Sequence, residues 1–427
     1  MEPSFLKRLT LLFGGLLCLL APPPVLAEPE IYTLPQAVAY ALRHNGELNA
    51  LREEQGLREA AKIQSTQYPN PVLELGGRSG SLTGSSSESN LSIGLSQEII
   101  TAGKKGKRSR LAVLDLEAYQ FLLADRERLL TEVLATTFQD LLLAEKRLEF
   151  AGRFIGLNRN LLEVTRERLS AGDIPELELN LVRVELSRSE EKRIEMHRDL
   201  VSLRANLSTL MGLGPESSAA VSGSLETTPK PGKLEELSKT ALKQRSDLKQ
   251  LEHERTKGET EIELARSELI PNLTAGLSFE RETTAGEAGR TEENYLIGLK
   301  LSIPIPLFDR NQAAMKTART KKNASEQRYI TARKNIEREV ETAYTKLNSA
   351  EATVALYAKE ILPQLEENLK LVQEAYRLGE IGILAVIEEQ KKYFEVNDGY
   401  LAALHSRQTA LVKLEAAVAT DLSGGVQ

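Results

Sequence analysis

Residues 104–171 read KKGKRSRLAVLDLEAYQFLLADRERLLTEVLATTFQDLLLAEKRLEFAGRFIGLNRNLLEVTRERLSA, and this stretch decides the fold. It is rich in Leu, Ala, Glu and Arg and holds no turn cluster. No proline occurs between Pro71 and Pro175. As one helix its ~68 residues would rise ~100 Å, against about 11 residues for an ordinary globular helix. Residues 310–378 form a second run of the same kind. Two such rods in one chain have to pack along each other, as a coiled coil or the wall of a tube. Leu362, Leu365, Leu369, Val372 and Tyr376 step by three and four residues, the spacing of a heptad seam. Ile155, Leu162 and Leu169 step by sevens in the other run. Each seam stops at a glycine, Gly172 or Gly379, the residue that most readily takes the left-handed conformation ending a helix. Helical pattern resumes at 176–211 and 383–421, which predicts two tight antiparallel hairpins, with Leu177 and Leu384 re-entering the seam.

Outward from the rods, the chain repeats itself. Ala41-Leu42 before Glu47-Leu48 recurs as Ala241-Leu242 before Asp247-Leu248. Pro69-Asn70 recurs as Pro271-Asn272, Ile93-Gly94-Leu95 as Ile297-Gly298-Leu299, and Gly172-Asp173-Ile174 as Gly379-Glu380-Ile381. The first repeat is read over 28–211, the second over 233–427, with the Gly/Pro/Ser-rich segment 212–232 between them. Each holds a helix, a strand hairpin (70–99 or 272–303), a long helix and a return helix. The strand segments alternate with period two: Leu91, Ile93 and Leu95 oppose Ser92, Gly94 and Ser96. Each is ~10 residues, enough to cross an outer membrane at a tilt. Two hairpins leave open edges, which lipid does not tolerate, so closure demands several chains; three chains of four strands give twelve.

Composition agrees. The 427 residues carry a formal net charge of -6, with 41% hydrophobic and 5% aromatic residues and no Trp. That balance favours long helices and gives no basis for nucleic-acid binding. Lys7 and Arg8, an apolar run to Ala21 and a small residue at Ala27 read as a secretory signal peptide over 1–27. Cys18, the one cysteine, lies inside it. Leu16 and Leu17 before it are bulkier than a lipid-attachment site takes. His44, His197, His253 and His405 lack ligand spacing, and no phosphate loop, nucleophile elbow or zinc signature is present. The reading is therefore of a non-enzyme without cofactor or bound metal.

Tyr68-Pro69-Asn70-Pro71 before the first strand resembles the outer-membrane efflux (TolC-like) family. So do the stretch Ser302-Ile303-Pro304-Ile305-Pro306-Leu307-Phe308-Asp309-Arg310-Asn311-Gln312 and the paired Gly-acidic-Ile turns. The Pro-rich strand exit and the basic stretch from Thr101 to Arg108 look most like the CzcC-like heavy-metal efflux branch. The resemblance implies a mainly α fold with a small β part: a homotrimer whose twelve-stranded β-barrel sits in outer-membrane lipid of a Gram-negative cell, above a periplasmic α-helical barrel. It implies a passive exit duct, docked to a periplasmic adaptor (a membrane fusion protein) and fed by an inner-membrane pump, with the RND type expected. The adaptor-docking tips would be Gly172, Asp173, Ile174, Leu177, Gly379, Glu380, Ile381 and Leu384. Of the family's two acidic constriction positions, the first falls on Ala385 and the second on Glu388, with Glu389 beside it. Metal cations are the cargo this branch implies, with drugs or small organic molecules as the alternative.

Two further readings come from the residues. Gly156 and Pro363 stand equally far before their turns and mark a helix bend, against the plainer reading of Gly156 as a close-packing residue. Lys104, Lys105, Lys107, Arg108 and Arg110 could meet anionic head groups, or simply form a solvated helix start. The alternative for the whole chain is a periplasmic coiled-coil adaptor or scaffold, which the repeated strand hairpins argue against.

Mass spectrometry of the exported protein is expected to find Glu28 as its first residue and no thiol. A mature chain retaining Cys18 would overturn the cleavage assignment.

Overall fold

A computed structural model describes residues 30–82, 84, 87–226, 231–285 and 290–422. The signal peptide and Cys18 lie outside these. The fold is mainly helical with a small β part. The chain forms two compact units, one drawn from 1–46, 130–229 and 346–412, the other from 47–129, 230–345 and 413–427.

In chain order the elements are β1 (Glu30–Tyr32), α1 (Leu34–His44), α2 (Gly46–Ser65), β2 (Val72–Ser79), β3 (Ser89–Ile99), α3 (Lys104–Ser170) and α4 (Glu176–Met211). The second half follows with β4 (Ala219–Val221), α5 (Leu234–Gln244), α6 (Ser246–Ser267), β5 (Leu273–Ala285), β6 (Thr291–Ser302) and α7 (Gln312–Leu356). A π-helical turn (Tyr357–Ile361) joins α7 to α8 (Leu362–Leu378), and α9 (Ile383–Val418) ends the described chain. Where a single helix was expected before each strand hairpin there are two, α1 and α2, then α5 and α6. Asn45 and Arg245 adopt extended ψ angles that interrupt the helical path.

The first unit is built on the lower part of α3. Leu134, Phe138 and Leu141 pack with Leu207 and Met211 of α4 and Leu404 of α9, all fully or almost fully buried. Residues 212–226, between the halves, are more ordered than their Gly/Pro/Ser content suggested. Their β4 pairs in parallel with β1, Glu30 against Ala219 to Tyr32 against Val221. The Leu225 side chain enters the core, and its carbonyl accepts from Arg407 Nη2 (3.0 Å) and Gln408 Nε2 (2.9 Å). Gly212 ends α4 at φ 77, where a Cβ would stand 2.4 Å from the His44 carbonyl oxygen.

The run expected as one helix over 310–378 is interrupted by the π turn, and Pro363 supplies the cause. Proline has no N–H, and its ring crowds the carbonyl four residues back. The helix widens just before it, with the Leu362 N–H bonding to the Tyr357 carbonyl, five residues back. The widened turn brings Tyr357 against α9, where a Cβ on Gly399 would lie 2.7 Å from the phenol oxygen.

The second unit carries the sheet, in the order β2-β3-β5-β6, antiparallel throughout. Its helices are tied by a buried guanidinium. Arg245 donates to both Asp247 carboxylate oxygens (2.9 and 2.7 Å), to Glu339 (2.9 Å) and to the Ala417 carbonyl (3.3 Å). Burial pushes the Asp247 carboxyl up, but Arg245 outweighs it and holds Asp247 below its ordinary range.

Asp247→Asn is expected to destabilise the protein by about 1–3 kcal/mol, because a buried cation loses its bidentate partner. A depressed carboxylate stabilises above its unfolded pKa and loses that contribution as pH falls through the folded value. The gap from wild type should therefore be full at neutral pH and close below about pH 4. Denaturant melts followed by circular dichroism check both.

Candidate functional site

Two regions of the fold present functional chemistry: the hairpin turns of the first unit and the sheet of the second.

Both turns end their helices with the same two hydrogen bonds. Gly172 N–H donates to the Leu169 carbonyl and Asp173 N–H to that of Arg168, each at 3.0 Å. Gly379 N–H donates to Tyr376 (3.0 Å) and Glu380 N–H to Ala375 (2.9 Å). These satisfy carbonyls that a helix end otherwise orphans, and they require the positive φ found at Gly172 (82) and Gly379 (81). Ile174 is buried and Ile381 packs partly into the apolar cluster of the hairpins. Leu177 and Leu384 do not re-enter the seam as expected; they are 67% and 61% exposed. Leu179, Val182, Ile383 and Val386 fill it instead. Leu177, the first apolar residue of α4, falls on the outer face, whereas in α9 the first, Ile383, is buried and the next, Leu384, faces out.

Sequence reasoning gave Tyr376 only a place at the end of a seam, yet it is the hub of this region. It is 1% exposed. Its hydroxyl lies 3.3 Å from Thr165 Oγ1 on α3 and 3.3 Å from Glu178 Oε2 on α4. Arg168 lies over its ring at 4.7 Å and donates to its carbonyl at 2.8 Å. Burial pushes the phenol pKa up, so it stays a donor at neutral pH. The signal was one of composition: a tyrosine in an apolar seam needs a partner for its hydroxyl.

Glu388 is exposed on α9 and has no ion-pair partner among the described residues. Glu389 is largely covered and pairs with Lys392 at 3.4 Å. Gly156 lies inside unbroken α3 with nothing within 4 Å of a built Cβ, so close packing within this chain does not explain it.

In the sheet, the register aligns apolar residues in rows. Leu73, Leu95, Leu277 and Leu299 stand side by side across the four strands, and Leu75, Ile93, Phe279 and Ile297 form the next row. All eight are exposed. The Arg281–Glu293 ion pair (2.6 Å) bounds this face at one end, next to the stacked rings of Phe279 and Tyr295. The opposite face is small and polar: Glu74, Gly94, Ser278 and Gly298 make one row, Val72, Ser96, Gly276 and Lys300 another. A Cβ on Gly298 would meet Ser278 Oγ at 2.5 Å, and one on Gly76 would meet Ser92 Oγ at 2.6 Å. Lys300 Nζ reaches Glu74 at 3.9 Å although two strands separate β6 from β2. The sheet therefore curls toward its Gly/Ser face. The outer strands β2 and β6 each pair on one side only.

The strand ends are pinned to the helices through Asn272. Its carbonyl oxygen accepts from Lys104 Nζ (2.7 Å) and Thr101 N–H (3.3 Å), while its amide donates to Glu98 (2.6 Å). Lys104 is 2% exposed and also faces Glu268, which pairs with Arg108 at 2.8 Å. This corrects the reading of the basic cluster: Lys104 and Arg108 are structural, and Lys105 lies over the Tyr68 ring. Among the described residues no helix is long and apolar enough to cross a membrane, and no group of three or more His, Cys, Asp or Glu side chains is placed to hold a metal.

Residues 237–420 match the outer membrane efflux protein family. The cobalt-zinc-cadmium resistance protein CzcC of Cupriavidus metallidurans is 24% identical over 385 residues, covering 90% of this chain and 89% of that protein. Among solved structures, CusC superposes with a TM-score of 0.76 at 20% identity, covering 94% of this chain and 100% of that one. The outer membrane protein VceC of Vibrio cholerae gives 0.73 at 12% identity, with 91% and 96% covered. The fold is shared with CusC and VceC.

Three glycine substitutions separate the roles of these positions. Gly172→Ala and Gly379→Ala are each expected to cost about 1–2 kcal/mol, because a side chain is placed at positive φ. Gly156→Ala is expected to stabilise by about 0.5–1 kcal/mol, since it adds helix propensity in open space. Amide hydrogen exchange across 150–180 and 370–390 reads all three.

Proposed function

We infer that the chain belongs to the outer membrane efflux protein family, which its second half matches, and serves as the outer-membrane channel of a tripartite efflux system. It gives passive exit across periplasm and outer membrane to substrate driven by an inner-membrane pump, and carries out no catalysis itself.

One observation carries this reading: a curled four-stranded sheet with bare apolar rows outside, small polar residues inside and two unpaired edges. Apolar rows of this kind belong in lipid, and burying each Leu or Ile side chain is worth about 1.5–3 kcal/mol. Unpaired strand edges do not survive there, so the sheet has to close. Strand directions alternate from β2 to β6. The β6 of one copy therefore meets the β2 of the next antiparallel, and any whole number of copies closes with an even strand count. Three copies give a twelve-stranded barrel with the Gly/Ser face lining the lumen. Tyr295 and Phe279 would stand at its outer rim, where aromatic side chains sit at the lipid interface.

The hairpin turns are the docking tips for a periplasmic adaptor. Exposed Leu177 and Leu384 offer apolar contact beside Asp173 and Glu380, with Gly172, Gly379, Ile174 and Ile381 holding the turns in shape. Glu388 supplies the constriction ring, one carboxylate from each copy, where a narrow neck favours cations. The pairing of Glu389 with Lys392 makes it a lesser contributor. Pro363 and Gly156 mark where the tip bends. Because CzcC is a cobalt-zinc-cadmium resistance protein, metal cations are the proposed cargo, with a pump of the RND type.

The purified mature protein should run as a trimer by native mass spectrometry and conduct ions in planar bilayers. Glu388→Ala should lower its cation-to-anion permeability ratio at least about twofold. Conductance with unchanged selectivity removes the ring; a protein that conducts nothing removes the channel.

A further inference from the structure

The seam between α3 and α9 contains one level that its apolar neighbours do not explain. The two helices run antiparallel. Arg147 bonds Asp398 at 2.6 Å, and Phe154 packs on Phe394 with ring centroids 4.9 Å apart. Beyond the phenylalanines toward the turns, Leu161 and Leu162 share a cluster with Val386 and Ile387. Between these two layers, at one level, lie Asn158 and Gln390. Both are 0% exposed. Their heptad neighbours Ile155 and Leu162, and Val386 and Phe394, show that both amides occupy core positions of the seam.

None of their four amide atoms has a hydrogen-bond partner among the described residues. A buried amide in that state weakens the packing that holds it, and it gains hydrogen bonds as soon as the helices part and water enters. The layers on either side behave in the opposite way, because parting them exposes apolar surface. The seam therefore yields most easily at this level. A neighbouring helix is already loosened close by. Counting back along α3 and α8 from the Tyr376 contacts brings Pro363 to within about one turn of Gly156, and the π turn directly precedes it.

We propose that the Asn158–Gln390 layer is the plane at which the hairpin tips disengage from the rest of the first unit when the duct opens. This rests on the channel reading and adds its moving part. The tip cluster under Tyr376 moves as one packed body, and the amide layer is wetted in the open state and dry in the closed one.

The test replaces the layer with apolar side chains of similar volume, Asn158→Leu with Gln390→Met. Hydrogen exchange at 161–179 and 376–387 should slow roughly tenfold. In bilayers the fraction of time open should fall by a similar factor, with conductance of the open channel unchanged. Gln390→Met alone, the milder change if the pair folds poorly, should slow exchange roughly threefold. Exchange at the tip that stays as in wild type, or quickens, overturns the proposal. Slowed exchange in a protein that conducts nothing would keep the layer and discard the channel. A conducting protein with unaltered exchange would do the reverse.

Discussion

Every backbone N–H and C=O at a strand edge needs a partner, and hydrocarbon supplies none. In the proposed channel, the second unit is shaped by that requirement. Its sheet turns rows of Leu and Ile outward and still offers two edges, β2 and β6, each paired on one side only. Short strands alone would leave the curvature undetermined. The Gly/Ser face determines it, because the concave side of a tightly curled sheet has little room, and Gly76, Gly94, Gly276 and Gly298 supply room where the register needs it. In the proposed channel, the direction of curl, the alternation of strand direction and the position of the apolar rows all serve closure edge to edge with further copies. The Asn272 hub belongs to the same constraint. The chain leaves β3 for α3 through a sharp turn, and the freed backbone at Thr101 is met by a side-chain amide, with a buried lysine completing the site.

The chain's duplication is written more clearly in hydrogen bonds than in residues. Gly172 and Gly379 close their helices with the same pair of bonds, and so do Gly212 and Ala419. Ala419 holds a positive φ of 56, the geometry its glycine counterpart adopts at 77. At Gly212 a methyl group would collide with the His44 carbonyl. What the two halves share is the backbone path, and the residue at each end varies with what presses on it.

That distinction explains what could be read from the sequence. Rod length, glycine stops and strand alternation were legible because each depends on local periodicity or on one residue's conformational range. The end of α9 was misjudged, at 421 rather than Val418, because an alanine there does a glycine's task. The short β1–β4 pair was missed, since three-residue strands have no period to detect. The sequence offers Lys104 only as a head-group contact or a solvated charge, because its burial depends on Asn272 and Glu268, far away in sequence. Tyr376 was read as one more apolar seam residue, and Leu177 and Leu384 were assigned inward. For Lys104 and Tyr376 the deciding partners come from the other half of the chain, where no spacing rule reaches.

The two halves also differ in stiffness, and the difference has a chemical origin. Gly156 weakens α3 only through entropy, because it keeps its N–H, and the helix runs from Lys104 to Ser170 unbroken. Pro363 cannot keep its N–H, and the ladder widens before it into a π turn. The widening forces Tyr357 into α9, and α9 accommodates it with a mid-helix glycine, Gly399, at a cost to its own propensity. A defect held by a compensating residue on a second helix is a feature of that pair, not of one helix. The π turn is thus confined to the second-half helices, where Pro363 causes it and Gly399 makes room for it. Tyr376 ties α8 to α3 through Thr165 and Arg168 and to α4 through Glu178, so what lies beyond the π turn toward the tip is held as one packed body.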